Sequence, residues 1–149
     1  RSLVTERSCL FGNCYGVKKA FIDLARTKNF KLPKGLCWID SAITKAVNSD
    51  ITQQDVGIPG RVTYDLACGY KFTSLNPVKK EDRKLYFSRI ARYATGKLQE
   101  EYLEKLDFKD WPRDLNKINK NILKKVSKGE ITLPFYLKKR IIRRLQKQL

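Results

Sequence analysis

The chain has 149 residues and a mass of 17.4 kDa, enough for one domain with an ordinary buried core. Its 42% hydrophobic and 32% charged residues exclude a disordered tail, and the lack of any run of about eighteen apolar residues excludes an integral membrane helix, so a soluble globular protein is expected. Against 32 Lys and Arg stand 15 acids, a formal net charge of +17, and such a field draws the protein toward polyanions: DNA, RNA, acidic glycans or anionic lipid.

The charge is unevenly placed. Residues 1–74 carry 11 basic and 6 acidic groups, residues 75–149 carry 21 and 9, and from Asn116 onward 11 basic residues face one acid, Glu130. The positive pole is C-terminal. Met and His are both missing, and a chain that opens RSLVTERS reads as a processed mature protein or a cleavage product, an expectation that fits prior removal of a secretory signal.

In chain order, Val17, Ala20, Phe21, Leu24 and Ala25 recur at the three-and-four spacing of one helical face, and so do Ile39, Ala42, Ile43, Ala46 and Val47. NSDITQQDVGIPG (48–60) is turn-rich, and RVTYDLACGYKF (61–72) reads as a short helix or a strand. Asn76-Pro77 supplies a cap and a first-turn proline for a long helix through Leu85, Tyr86, Ile90, Tyr93, Leu98 and Tyr102 toward Leu106. Trp111-Pro112 restarts the pattern, which runs through Leu115, Ile118, Ile122, Leu123 and Val126 to a stop at Gly129. Thr132 with Leu133-Pro134 opens a last helix, Leu133 to Leu149. The expected fold is all-α, a single-domain bundle of five or six amphipathic helices over residues 1–149.

The four cysteines, Cys9, Cys14, Cys37 and Cys68, are an even number that suits a secreted protein with two disulfides. Of the three pairings, Cys9 with Cys14 and Cys37 with Cys68 is preferred. Zinc lacks the tight second ligand pair and any His to complete a site. Reduced thiols in the core are the remaining alternative.

GLCWIDSA (35–42) looks like the nucleophile region of papain-type cysteine proteases, which carry Gly-x-Cys-Trp at the start of a helix. That chemistry needs a His base, and the chain contains none. Trp38 and Ile39 therefore read as core anchors. Glu100, Glu101, Glu104, Asp107 and Asp110 are interleaved with Lys97, Lys105 and Lys109, the composition of a solvated, ion-paired helix face rather than of a carboxylate dyad. With no phosphate loop and no serine elbow, no enzyme, cofactor, metal or small-molecule substrate is expected. Tyr86, Phe87, Tyr93, Phe135 and Tyr136 are available to stack on bases, but no nucleic-acid-binding module is legible.

The blocks KKAF (18–21), GLCW (35–38), KLYFSRIARY (84–93) and LPFYLKKRIIRRL (133–145), with the Arg-Ser start, resemble the abalone sperm acrosomal proteins, sperm lysin and its fusagenic paralogue, and the paralogue more closely. The four Cys depart from lysin's pattern. The resemblance implies a non-enzymatic helical bundle released from the sperm acrosomal granule, which either opens the egg envelope by stoichiometric binding or promotes fusion of sperm and egg membranes. The expectation is accordingly a secreted, membrane-active fertilisation protein whose partner is the anionic lipid surface of the egg. An egg envelope glycoprotein is the second reading and nucleic acid the third.

On that reading the last helix carries the site. Lys138, Lys139, Arg140, Arg143, Arg144 and Lys147 form the basic face that meets lipid, and Leu133, Phe135, Tyr136, Leu137, Ile141, Ile142 and Leu145 are the candidate apolar contacts. The competing reading buries the Leu and Ile stripe in the bundle and leaves the basic face to solvent.

Overall fold

A computed structural model describes residues 15–52, 57–58, 60–63 and 73–149. Among them lie five α-helices, α1 Lys19–Thr27, α2 Ile39–Asn48, α3 Lys80–Leu103, α4 Asn116–Ser127 and α5 Phe135–Lys147, with one 3-10 turn, Phe108–Asp110. Among the described residues the only extended pairing is an isolated parallel bridge between Lys34 and Asp114, so the expected all-α class is observed. The opening RSLVTERS, most of RVTYDLACGYKF and the cysteines Cys9, Cys14 and Cys68 lie outside the described residues.

The chain divides into two compact units. In the first, Phe21, Leu24 and Ala25 turn one stripe of α1 onto a core of Ala46, Ile51 and Phe108. Phe30 stands edge-on to Phe108 with ring centroids 5.4 Å apart, and Trp111 lies 4.9 Å from Phe108; aromatic pairs at such separations add to the area they bury. After α2 the backbone enters the left-handed region at Asp50 (φ 49°) and Ile51 (φ 57°), a strained conformation for a β-branched residue. Burial of Ile51, its N–H bond to the Ala46 carbonyl and the Lys28 ammonium on the Asp50 and Ile51 carbonyls at 2.9 and 3.2 Å hold it there.

The second unit comprises Pro33–Trp38, α3 and Pro112–Leu149. Its core is Ala91 of α3, Ile122 and Val126 of α4, and Leu137, Ile141 and Leu145 of α5, all buried. The three α5 residues repeat every four positions and so form one narrow stripe. The buried spine of α3 is Ala91, Thr95, Gly96, Gln99 and Leu103, and Ile90, Leu98 and Tyr102 of the expected stripe pack half-buried against the same core. Leu85, Tyr86 and Tyr93 are exposed. Small residues let the helix approach closely: a Cβ at Gly96 would lie 3.0 Å from the Cβ of Trp38.

A polar cluster lies within this unit. Gln99 and Asn119 are fully buried; the Gln99 amide donates to the Gly35 carbonyl at 3.1 Å, to Asn119 Oδ1 at 3.0 Å and to Gln148 Oε1 at 3.3 Å. Its oxygen accepts the Cys37 N–H at 3.0 Å. Buried amides partnered in this way avoid the cost of an unsatisfied polar group.

Helix ends depart from the sequence reading in a consistent direction. Asn76 Oδ1 accepts the Val78 N–H at 2.9 Å, an Asx turn that delays α3 to Lys80. The same helix ends at Leu103, short of Leu106, so Glu104, Asp107 and Asp110 do not continue the helix face that Glu100 and Glu101 occupy. At the last helix neither Thr132 nor Leu133 takes part: Pro134 is the N-cap, and its carbonyl accepts the Leu137 and Lys138 N–H groups, each at 2.9 Å. The stop at Gly129 is as read, with φ 75° and the Glu130 N–H bonded to the Lys125 carbonyl at 2.9 Å, the Schellman closure that favours glycine.

Candidate functional site

α5 sorts its residues sharply between two environments. Leu137, Ile141 and Leu145 are 2%, 0% and 0% exposed, and burying side chains of this kind contributes roughly 1.5–3 kcal/mol each. They are core residues of this fold, as the competing reading of the stripe expects: a stripe that repeats every four positions along a helix flanked by α3 and α4 satisfies the unit's core. Leu133 precedes the helix and, with Ile142, is half-buried against the same core.

The two aromatic residues behave differently. Phe135 is 90% exposed and Tyr136 52%, and they stand edge-to-face with centroids 5.5 Å apart. They open the helix, ahead of its first buried residue, where the periodicity gives neither a core position.

Five of the six basic residues, Lys138, Lys139, Arg140, Arg143 and Lys147, are exposed. Arg140 is steered by Phe87, whose ring lies 5.3 Å from the guanidinium carbon, within cation–π range. The sixth, Arg144, is half-buried, and its Nη2 donates to Ser88 Oγ at 3.2 Å and to the Ser88 carbonyl at 3.5 Å. α5 contains no acid, so its positive field is uncompensated along its own length, and Arg144 and Lys147 in its last turn also complement the helix dipole.

Three open clefts flank this helix, and all are rimmed by cations. One of about 340 Å³ is bounded by Ser88, Arg140, Arg143, Arg144 and Lys147. A second, at the N-terminal end, is bounded by Phe135, Lys138, Lys139, Ile142 and Arg143. The third lies between α5 and α4, beside Lys124 and Lys138.

The other sequence candidates resolve as follows. Cys37 is a free thiol in this structure and accepts a hydrogen bond from the Gln148 amide at 3.3 Å, within the polar cluster of its own unit; Cys68, its preferred partner, lies outside the described residues. Trp38 is half-buried against Tyr93, centroids 6.3 Å apart, whereas Ile39 is 48% exposed and belongs to neither core cluster. Cys37 precedes α2 by two residues, and its thiol is hydrogen-bonded to an amide, that of Gln148. Among the described residues no group of His, Cys, Asp and Glu is arranged to hold a metal ion, and no helix is long and apolar enough to cross a membrane.

Gln99, Asn119, Gln148 and Ser88 were not picked out by sequence reasoning. Asn119 had a signal, because it falls between Leu115 and Ile122 at core spacing. Ser88 had none, since only the fold brings it to Arg144.

Family models, curated proteins and solved structures were each compared with the chain, and none matches it.

Proposed function

We propose that this is a secreted, non-enzymatic protein of the sperm acrosomal granule that binds the anionic surface of the egg membrane and perturbs it, promoting fusion of the two membranes at fertilisation. The observation that carries the reading is the outer face of α5: Phe135 and Tyr136 exposed at one end, followed by an uninterrupted basic surface. Cations near an anionic bilayer contribute roughly 1 kcal/mol each, and an exposed aromatic pair supplies the apolar contact that holds an interfacial helix in place. The resemblance of KKAF, GLCW, KLYFSRIARY and LPFYLKKRIIRRL to the abalone sperm acrosomal proteins supports the biological setting.

The test is binding to and lipid mixing of vesicles containing anionic lipid, measured against salt. Binding should fall steeply as salt rises, because surface charge is screened within about 8 Å at physiological ionic strength. A protein that neither binds nor mixes such vesicles at low salt removes this reading and leaves stoichiometric binding to an egg envelope glycoprotein in its place.

A further inference from the structure

The cleft beside the C-terminal half of α5 differs from a generic basic surface in how its cations are held. Arg144 is clamped from behind by Ser88, through Nη2 to both the hydroxyl and the carbonyl oxygen, while its Nε is enclosed and meets no acceptor. Arg140 is fixed by the Phe87 ring. Arg143 and Lys147 complete the rim, and no acid is found among the described residues that line the cleft. Two guanidinium groups with restrained orientation plus two exposed cations form an arrangement suited to a compact oxyanion, because planar guanidinium forks match tetrahedral phosphate oxygens and pre-positioning reduces the ordering cost of binding.

The geometry points to a site for the phosphomonoester headgroup of an anionic lipid in the cleft formed by Ser88, Arg140, Arg143, Arg144 and Lys147. The inference rests on the membrane reading above and specifies which headgroup chemistry the surface prefers. A lipid is favoured over a free anion by the neighbourhood. Arg143 lines both this cleft and the next, where Phe135 and Ile142 are found, so the cleft adjoins an apolar surface along which acyl chains can run, as no free anion requires. A phosphomonoester carries about −1.5 to −2 charges near neutral pH with three terminal oxygens. A phosphodiester headgroup offers one charge and two free oxygens, and so satisfies fewer of these donors.

The experiment compares vesicles containing phosphatidic acid with vesicles containing phosphatidylserine, matched in measured surface charge, at physiological salt. The full chain should bind the phosphatidic acid vesicles about tenfold tighter. Arg144→Gln, and separately the exposed pair Arg143→Gln with Lys147→Gln in case Arg144 proves structural, should reduce binding to the phosphatidylserine level, with helical content checked by circular dichroism. Lys120→Gln, and for the double variant Lys117→Gln with Lys120→Gln, which remove equal charge from exposed positions on α4, should keep the preference. Inorganic phosphate at fixed ionic strength should compete only weakly.

Equal binding at matched charge would overturn the headgroup site while leaving the membrane reading intact, as would loss of the preference on Lys120→Gln. Saturable binding of inorganic phosphate without vesicle binding would overturn the lipid assignment together with the membrane reading.

Discussion

The Gln99 side-chain oxygen accepts the backbone N–H of Cys37 at 3.0 Å across 62 residues of sequence, while its amide nitrogen reaches Asn119 and Gln148. One buried side chain thus connects the Gly35–Cys37 turn, α3, α4 and the residue that follows α5. Hydrophobic burial has no direction and tolerates sliding of helices past one another. A set of partnered amides specifies one register.

Gln99→Leu should therefore destabilise the protein although it makes the position more apolar. It leaves the Cys37 N–H and the amide groups of Asn119 and Gln148 short of partners in a buried site, at about 1–3 kcal/mol for each group left unsatisfied. Urea unfolding followed at the helical signal checks this; stability at or above that of the unaltered chain would mean that the cluster is hydrated in solution.

Gly129→Ala should cost about 1 kcal/mol, since the position has φ 75° and an added Cβ penalises the left-handed conformation. Nothing lies within 4 Å of where that Cβ would be, so the effect isolates backbone conformation from packing. A change in midpoint without a change in slope in the same urea experiment is the expected outcome.

These two positions mark what the sequence allowed one to read. Gly129 was legible because a helix stop needing positive φ has a one-residue signature, and the α4 and α5 stripes were legible because Ile122, Val126, Leu137, Ile141 and Leu145 obey the helical period. The inner face of α3 was legible only in part: Ile90, Leu98 and Tyr102 pack against the core as read, but the fully buried Ala91, Thr95, Gly96 and Gln99 are small or polar, and Leu85, Tyr86 and Tyr93 are exposed. Close helix approach requires small residues, so where helices pack most tightly the hydrophobic signal is weakest. Of the candidate site, the basic residues were identified by composition alone. Which apolar residues remain outside depended on tertiary packing, and Ser88 and Phe87 enter only because the fold carries them to Arg144 and Arg140.

Cys37 should be recovered as a free thiol from native protein, alkylated slowly when folded and rapidly in denaturant, because it is partly buried and bonded to Gln148. Cys37→Ser, which keeps an acceptor for the Gln148 amide, should change stability by less than about 1 kcal/mol. Stoichiometric labelling by a cysteine-protease probe, accompanied by peptide hydrolysis, would instead revive the papain-like reading of GLCWIDSA.

The two faces of α5 should separate under mutation. Ile141 is 0% exposed, and Ile141→Asp places an unpaired carboxylate in the core, a change that should unfold the second unit. Replacing Lys139, Arg140, Arg143 and Lys147 by Gln touches no buried side chain and should leave helical content nearly unchanged while weakening vesicle binding. Phe135→Ser with Tyr136→Ser should likewise spare the fold, since exposed positions away from special backbone geometry usually shift stability by no more than about 0.5 kcal/mol. That pair should nevertheless lower vesicle affinity by roughly tenfold to a hundredfold, the effect of withdrawing one to two buried aromatic side chains from an interface. If the serine pair instead binds and mixes vesicles as well as the unaltered chain, attraction is purely electrostatic, and the exposed aromatic pair at the start of α5 has no part in perturbing the bilayer.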